Sequence, residues 1–297
     1  MLKKLNKYIS LLQNGDLVAI PTETVYGLAA DATNDAAVDK IFALKKRPNF
    51  NPLISHISDI KMAQKYGVFS DTALQLARHF WPGPLTLIIP KGAHACADNV
   101  TAGLDTIGLR VPSHPLTRQL IKDFGKPLAA PSANISGTLS PTHPDHVRSS
   151  FGVHAPEILD GGACSVGLES TILRVIDDNV ILLRQGGIPQ SDIENFLRSK
   201  IDVQINADKN GKVLSPGQLL RHYAPKKPIY IDQTNCPDTA SFIAFGKTYL
   251  PQNTSSLFQL SSTEDLSEAA SLLFSHLYHA DQSSSCLLYT SPSPRDA

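Results

Sequence analysis

The sequence predicts an α/β fold with a mixed, twisted sheet and flanking helices, followed by a small second α/β domain. Short apolar runs of strand length alternate with amphipathic helical segments, without the strict rhythm of a βαβ repeat. A polar stretch rich in Gly, Pro and Asn interrupts this pattern, and apolar periodicity then resumes. We therefore predict a first domain at residues 1–198, a linker at 199–227 and a second domain at 228–286.

The larger domain is predicted to begin with a helix, because Leu2, Leu5, Ile9 and Leu12 recur at helical spacing before Asn14-Gly15. The predicted strands of this domain are Leu17–Ile20, Leu53–Ile57, Leu85–Ile89, Thr106–Val111 and Leu128–Ala130, with a hairpin of Ser170–Ile176 and Val180–Leu183. The predicted helices are one capped by Asn34, then Thr72–Phe80, Pro115–Phe124 and Ser191–Arg198.

The second domain is predicted to contain strands at Ile229–Ile231 and Ser241–Phe245. Ser261 and Glu264 have the spacing of a capping box before one helix. The last residues, 287–297, read LLYTSPSPRDA and resemble a cloning or assembly scar, so we leave them outside the predicted fold. Two strands and one helix are few for a stable unit, which indicates a truncated Rossmann-like domain.

Charge and cysteine content exclude several classes of protein. The chain has 27 basic and 27 acidic residues, which gives no support to a dedicated nucleic-acid binder. Its four cysteines form no C-x-x-C pair, and no histidine lies at zinc spacing from them. No signal peptide and no long apolar stretch is present, so we expect a cytoplasmic protein without a membrane span.

Polar side chains cluster where predicted strands end. The stretch AIPTETVYGL leaves an apolar strand at Pro21 and then brings Thr22, Glu23, Thr24 and Tyr26 within a few residues. Two later stretches, AAPSANISGTLSPT and DGGACSVGLESTI, also join a buried strand to hydroxyl-bearing loops. Neither matches the G-x-G-x-x-G or Walker A pattern, so neither of those nucleotide-binding modes is predicted.

Separated cations accompany these hydroxyls. Lys45 and Arg47 end a helix, where they could either favour the helix dipole or grip phosphate oxygens. Arg110 lies inside an apolar strand and needs a partner, which could be a structural carboxylate or the carboxylate of a ligand. Hydroxyls, amides and cations with few carboxylates suit an anionic, polyphosphate-like ligand held for phosphoryl or nucleotidyl transfer.

In order along the chain, PTETVYGL, K-x-R with NPLI, WPGPLT, LRVPSHP, APSANISG, VGLESTI and LLRQGG resemble the YrdC-like family of L-threonylcarbamoyladenylate synthases. SPGQLLRHYAP is similar to the linker of the long, two-domain form. The resemblance implies a YrdC-like fold and the synthesis of threonylcarbamoyl-AMP and pyrophosphate from L-threonine, bicarbonate and ATP. It also implies Mg²⁺ carried on ATP, no organic cofactor, and a product passed to a separate complex that modifies tRNA adenosine next to the anticodon.

The same resemblance implies roles for individual residues. Lys45 and Arg47 would be catalytic and would grip the phosphates. The residues implied for L-threonine are Thr24, His56, Arg110, Ser132 and Ser170. Those implied for ATP are Arg47, Asn51, Thr106, Asn134, Thr142, Arg184 and Tyr223, the last closing from the linker.

Two rival functions follow from related domains. The first is a binding module for double-stranded RNA; the neutral charge and the lack of an aromatic-interleaved basic stripe argue against it, although weak RNA binding stays open. The second is the carbamoyl-adenylating domain of hydrogenase maturation, which needs Cys-rich zinc modules that four unpaired cysteines exclude.

Overall fold

The computed structural model describes residues 2–204, 215–216, 223–247, 254 and 256–292. The helices are α1 (Leu2–Gln13), α2 (Asp35–Lys45), α3 (Ile60–Tyr66), α4 (Asp71–Phe80), α5 (Asp98–Thr101), α6 (Pro115–Phe124), α7 (Pro144–Phe151), α8 (Gln190–Leu197) and α9 (Leu266–Gln282), with a 3₁₀ turn at Gly152–His154. The strands of the first domain are β1 (Val18–Ile20), β2 (Gly27–Asp31), β3 (Ile54–His56), β4 (Leu85–Pro90), β5 (Thr106–Arg110), β6 (Leu128–Ala129), β7 (Glu157–Ile158), β8 (Thr171–Ile176), β9 (Asn179–Arg184) and β10 (Asp202–Val203). Those of the second are β11 (Ile229–Tyr230), β12 (Ser241–Phe245), β13 (Ser256–Ser261) and β14 (Leu288–Thr290).

The predicted helices of the first domain form for the reasons read from the sequence. Leu5 and Leu12 of α1 are buried on its inner face. Asn34 caps α2, since its side chain accepts a hydrogen bond from the backbone N–H of Ala37 at 3.2 Å. Gly125 ends α6 in the left-handed region, at φ +79°, where glycine carries no steric penalty.

The first domain is built on one mixed sheet, which confirms the predicted fold class. Its strand order is β10-β9-β8-β4-β5-β3-β6-β2-β1-β7, and it includes both parallel and antiparallel pairs. The predicted hairpin of β8 and β9 turns at Asp177 and Asp178, both at positive φ. Two positive φ values in a two-residue loop match the twist of the flanking strands.

Alternation along the central strands separates the face covered by helices from a second face, which carries Arg110 beside a small apolar cluster around Ile54. Leu87 of β4, Leu109 of β5 and Leu173 of β8 pack in one core with side chains of α3, α4 and α8. Successive side chains of a strand point to opposite faces. Arg110, which follows Leu109 on β5, therefore points to the opposite face of the sheet. Ile54 of β3, which precedes the register partner of Leu109, points to that opposite face as well.

Several short elements were not predicted, and one of them changes the linker. Residues 199–227 were predicted as linker, yet Asp202 and Val203 form edge strand β10 parallel to β9, and Ile201 packs in the main core. The rest of the predicted linker lies outside the described residues, except for 215–216 and 223–227. The other unpredicted elements are β2, α3, α5, α7, β7 and β13.

The second domain has a small parallel sheet in the order β11-β14-β12-β13, packed by α9. The predicted capping box was wrong in its residues: Asp265 caps α9, accepting from the N–H groups of Ser267 and Glu268 at 2.8 and 2.9 Å. Ser261 instead ends β13, and Glu264 adopts a positive φ that a first-turn helical residue does not have.

Leaving residues 287–297 outside the fold was also wrong for their first part. Leu288–Thr290 is strand β14, which pairs with both β11 and β12. The apolar pair Leu287-Leu288 supplies a buried side chain there, since Leu288 is fully buried. Residues 293–297 lie outside the described residues.

The two domains pack through the loop that follows β6 and the loop that precedes β8. Leu139 and Leu168 of the first domain join the core of the second around Phe274 of α9. Gly167 lies directly against α9, where a Cβ atom would come within 2.6 Å of the Ser271 backbone. A glycine is therefore required there for this approach. Within the part of the chain that is described, no helix combines the length and apolar character needed to cross a bilayer.

Candidate active site

A polar cavity lies over the face of the sheet that α3, α4 and α8 do not cover. Ile54 and His56 are two residues apart on β3 and therefore point to the same face of the sheet. Arg110 on β5 is the register partner of His56. The wall of this cavity consists of Thr22, Thr24, Val25, Gly27, Arg47, Ile54, His56, Arg110, Ala130, Pro131, Ser132, Glu169, Ser170, Arg184 and Pro216. The strand pairing thus brings together the ends of loops that are distant in sequence.

The cavity is small in this conformation, with a volume of about 40 Å³. A volume of that size holds about three water molecules. Pro216, from the segment predicted as linker, forms part of its wall.

The PTETVYGL loop enters the cavity through a tight turn made by Thr22. The hydroxyl of Thr22 donates to the carbonyl of Val25 at 2.6 Å and accepts from the N–H groups of Thr24 and Val25 at 3.1 and 3.2 Å. Gly27 then begins β2 beside Ala130, whose Cβ would lie 3.1 Å from an added Cβ. The loop's polarity is thus explained by a hydroxyl-bound turn at the cavity wall.

Arg110 is held by Glu23 as well as lining the cavity. Its Nη2 donates to Glu23 Oε1 at 2.7 Å, and its Nε donates to the carbonyl of Gly83 at 3.3 Å. The other carboxylate oxygen of Glu23 accepts from Ser113 N at 2.9 Å. Burial raises the pKa of Glu23, but Arg110 and these hydrogen bonds lower it more, so the net shift is downward. The structural partner considered for Arg110 is therefore Glu23.

Arg184 forms a second buried ion pair on the opposite wall. Its Nη1 donates to Glu169 Oε2, and its Nε and Nη2 donate to the carbonyl of Ser170 at 3.0 and 2.9 Å. Ser140 donates to the other carboxylate oxygen of Glu169 at 2.8 Å. Ser170 Oγ accepts from Arg184 Nη2 at 3.0 Å and lies 2.8 Å from the hydroxyl of Thr86. This wall is therefore a connected polar network.

Arg47 differs from the other two arginines of the cavity. Helix α2 ends with Lys46 in the left-handed region, and the Arg47 N–H then bonds the carbonyl of Phe42 at 3.0 Å. The side chain donates only to backbone carbonyls, from Nε to Asn51 at 3.3 Å and from Nη2 to Pro52 at 3.0 Å. Among the described residues it forms no ion pair, and burial lowers its pKa to about 10. Arg47 therefore stays protonated at neutral pH, and Glu169 offsets its charge in part without forming an ion pair with it among the described residues.

Lys45 does not line the cavity, in contrast to the phosphate-gripping role that we predicted. Its Nζ donates to the carbonyls of Ser132 and Asn134 at 2.5 and 2.7 Å and to Asn134 Oδ1 at 3.2 Å. An ammonium group has three donors, and all three are used here. In this conformation Lys45 fixes the APSAN loop.

The side chain of Asn134 likewise forms its hydrogen bonds within its own loop. Its Nδ2 donates to the carbonyls of Thr138 and Leu139 at 2.9 and 3.1 Å, and its Oδ1 accepts from Ser132 Oγ at 2.7 Å. Thr142 is buried farther along the same loop, where its N–H donates to His146 Nδ1 at 3.2 Å. Neither residue is in the cavity wall, so a nucleotide contact from them requires the loop to rearrange.

Two other predicted ATP residues lie outside the wall of this cavity. Asn51 is fully buried next to Arg47, and neither atom of its side-chain amide has a hydrogen-bond partner among the described residues. A buried amide without a partner is costly, so a ligand group would stabilise it. Thr106 lines a smaller adjoining cavity that shares Ile54 and Pro216 with the main one.

Tyr223, within the predicted linker, contacts the Glu169–Arg184 pair of the cavity wall. Its ring packs against Phe274 of α9, with centroids 5.6 Å apart, and its hydroxyl hydrogen-bonds the Glu169–Arg184 pair. Burial raises its pKa above the usual value, which keeps the phenol protonated at neutral pH. Tyr223 therefore joins the second domain to the wall that carries Arg184.

His56 is buried beside Arg110 and is neutral. Burial, and after it the charge of Arg110, lowers the pKa of His56 to about 3. Its Nδ1 has no hydrogen-bond partner among the described residues. A neutral imidazole with an unused nitrogen suits a neutral polar group of a ligand better than a second cation would.

Acidification from about pH 7.5 to about pH 5 is expected to destabilise the protein partly through His56. The unfolded chain takes up this proton near pH 6.5, whereas the folded chain takes it up only near 3. The contribution of neutral His56 to the free energy of unfolding is therefore complete above pH 6.5 and is lost progressively as the pH falls toward 3. At about pH 5 the loss is about 2 kcal/mol. Urea unfolding should show a smaller pH effect in His56→Gln than in wild type, while the exposed control His79→Gln should keep the wild-type effect.

The two carboxylates, Glu23 and Glu169, are the main residues that sequence reasoning left unassigned. Both occur in the stretches that it singled out, PTETVYGL and VGLESTI. The signal available was a buried arginine in need of a partner. Sequence alone could not assign a carboxylate to its arginine, because Glu23 and Arg110, for example, are 87 residues apart. Ser140 was missed for the same reason.

Comparison with known proteins agrees with this geometry. Residues 10–186 match the family model Sua5_yciO_yrdC, which carries the description "Telomere recombination". The chain belongs to the Sua5/YciO/YrdC family. Residues 188–296 match a second model of this family's long form, described as "Threonylcarbamoyl-AMP synthase, C-terminal domain". The second match includes the predicted linker and most of residues 287–297.

Individual relatives in the Sua5/YciO/YrdC family are similar over most of this chain. It is 46% identical over 224 residues to the threonylcarbamoyl-AMP synthase of Bacillus subtilis, and the aligned region covers 75% of this chain and 64% of that protein. It is 41% identical over 225 residues to the synthase of Pyrococcus abyssi, covering 74% and 65%. The chain thus spans just under two thirds of the length of these curated relatives.

Both domains match solved structures. The crystal structure of P. abyssi Sua5 complexed with L-threonine superposes with a TM-score of 0.88 at 32% identity. The match covers 98% of this chain and 89% of the P. abyssi chain. The mixed sheet and the separate domain with the small parallel sheet are therefore features shared with a Sua5 protein.

Proposed function

We propose that this protein synthesises L-threonylcarbamoyl-AMP from L-threonine, bicarbonate and ATP, with release of pyrophosphate. The observation that carries the proposal is the convergence of three arginines on one cavity, of which Arg47 alone has no carboxylate partner among the described residues. An anionic group of a ligand would balance that charge. The triphosphate of ATP would supply such a group, and bicarbonate and the threonine carboxylate would bring further negative charge.

In this proposal Arg47 binds the phosphates, because a guanidinium can fork onto two phosphate oxygens. Arg110 binds the threonine carboxylate, and Glu23 holds it in place. Support comes from the relatives described as threonylcarbamoyl-AMP synthases and from the P. abyssi Sua5 structure described as complexed with L-threonine. Catalysis would consist of bringing a carbamate oxygen to the α-phosphate while cations balance the charge that develops.

Mg²⁺ would enter with ATP as part of the substrate. Both carboxylates near the cavity, Glu23 and Glu169, are engaged by arginines, so neither is a ready ligand for a resident metal ion. When bound on ATP, Mg²⁺ would neutralise phosphate charge. We further propose a cytoplasmic protein whose product is used by a separate complex to modify tRNA adenosine.

Pyrophosphate release tests the proposal directly. Release from MgATP should require both L-threonine and bicarbonate, and omission of either should reduce it to background. Mass spectrometry should then detect threonylcarbamoyl-AMP. Turnover independent of threonine would refute the proposed substrate. RNA binding that weakens steeply with salt, in the absence of turnover, would support a binding module instead.

Arg110→Ala is expected to raise the KM for threonine more than the KM for ATP. The substitution removes the guanidinium proposed for the carboxylate and leaves Arg47 in place. Loss of one charged hydrogen-bond partner corresponds to about 1.5–3 kcal/mol, or about ten- to a hundredfold in KM. Steady-state kinetics with each substrate varied in turn measures both constants, and a larger change in the ATP constant would refute the assignment.

A further inference from the structure

A further contact between the two domains is formed by His146 of α7 and Tyr278 of α9. The two rings are stacked, with centroids 4.1 Å apart and an interplanar angle of 24°, and His146 is only 3% exposed. Four residues earlier on α9, Phe274 packs in one apolar cluster with Leu139 and Tyr223. Helix positions four residues apart lie on the same face. One face of α9 therefore contacts His146 and also holds Tyr223 at the cavity wall.

A hydrogen bond determines which ring nitrogen of His146 carries the hydrogen. The backbone N–H of Thr142 donates to His146 Nδ1 at 3.2 Å. Nδ1 is therefore the acceptor nitrogen of a neutral imidazole, and the hydrogen is on Nε2. A proton added to Nδ1 would point at the N–H group from which this nitrogen now accepts. The docked arrangement thus accommodates the neutral ring and opposes the imidazolium.

The charged and titratable groups around His146 also oppose its protonation on balance. The groups on α9 are Tyr278 and His279, and those on α7 and its N-terminal cap are His143, Asp145 and Arg148. A positive charge on His279 or His143 would repel an imidazolium, whereas Asp145, which is paired with Arg148 at 2.6 Å, would attract it. Burial, and after it His279 and His143, lowers the pKa of His146 to about 4.

We propose that His146 is an acid-sensitive switch between the two domains, whose protonation releases α9 from the first domain and withdraws Tyr223 from the Glu169–Arg184 pair. This device operates whichever substrates the cavity binds. In the released state His146 is open to water and takes up its proton at about pH 6.5, as an unperturbed histidine does. The equilibrium constant for docking is therefore at its maximum above pH 6.5 and falls progressively as the pH falls toward 4. At about pH 5 it is about thirtyfold smaller.

Amide hydrogen exchange of the full chain measures this docking equilibrium. The backbone N–H of Ala224, next to Tyr223, donates to the carbonyl of Gly137 in the first domain at 3.1 Å, so release of α9 exposes it to exchange. The ratio of the measured to the intrinsic exchange rate gives an opening constant at each pH. For Ala224 this constant should rise about thirtyfold between about pH 7.5 and about pH 5, and a rise of less than about threefold would overturn the proposal.

A second amide separates release of the domain from global unfolding, to which His56 of the first domain contributes. The N–H of Leu28 donates to the carbonyl of Pro131 at 2.7 Å inside the first domain. Its opening constant should stay well below that of Ala224 at both pH values, and the fluorescence of the buried Trp81 should not change. Equal opening constants at the two amides would show that the chain unfolds as a whole, which contradicts a switch between domains.

Two variants remove the titration of His146 in different ways. His146→Phe keeps an aromatic ring for the stack, and His146→Asn keeps an acceptor for the Thr142 N–H. In both, the rise at Ala224 should fall to less than about threefold, while the exposed control His154→Gln should keep the wild-type rise. A rise of about thirtyfold in either folded His146 variant would refute the role of this histidine and would point to His279 instead.

Discussion

Arg47→Ala is expected to reduce threonine-dependent pyrophosphate release by about 10²–10³-fold, the effect of removing one preorganised charge from a transition state. Arg47 is the cavity arginine that forms no ion pair among the described residues, and Glu169 offsets its charge only in part. The variant should remain folded. Two backbone carbonyls lose a donor, which costs about 1–3 kcal/mol. Initial rates at saturating substrates and thermal melting measure the two effects.

Two variants bracket this prediction. Arg47→Lys keeps the charge and loses the fork geometry, so its activity should fall between those of wild type and Arg47→Ala. Arg118→Ala removes an exposed arginine of α6 and should match wild type in both measurements. If Arg47→Ala is largely unfolded at the assay temperature, the residue has a structural role instead.

Glu23→Ala is expected to lower the free energy of unfolding by about 3–5 kcal/mol, since it leaves Arg110 as an unpaired buried cation. The two side chains are only 5% and 4% exposed. Ser113 also loses the acceptor of its backbone N–H. Urea denaturation at neutral pH, monitored by tryptophan fluorescence and by far-UV circular dichroism, gives the required free energies.

A matched control and a double variant test the cause. Glu157→Ala breaks the ion pair with Lys7, in which both side chains are half exposed or more, and should cost less than about 1 kcal/mol. Glu23→Ala combined with Arg110→Met removes both charges and should be more stable than Glu23→Ala alone. If the double variant is no more stable than that single variant, an unpaired charge is not the source of the loss.

The long periodic elements of the fold could be predicted from the sequence, and the short ones could not. Asn34 and Gly125 mark helix ends through local backbone chemistry, so α2 and α6 were placed within a residue or two. Strand β7 has two residues and pairs with β1, more than a hundred residues earlier. No local pattern encodes such a pairing, because the energy that stabilises it arises only after the sheet has formed.

The candidate site shows a similar division. Arg110 could be identified because a cation inside an apolar strand is unusual. Lys45 and Arg47 were assigned to the ligand from their place at the end of a helix and from the family resemblance, yet the hydrogen bonds of Lys45 go to the Ser132–Asn134 loop. A position at a helix end does not decide which of several nearby acceptors a side chain contacts.

The strand order of the second domain has a consequence for biosynthesis. Strands β11 and β12 do not pair directly, because β14 lies between them. A ribosome that has made β11, β12, β13 and α9 has therefore not yet supplied the strand that joins β11 to the sheet. The first domain, whose strands all lie within residues 18–203, can assemble earlier, so the two domains should acquire structure at different stages of translation.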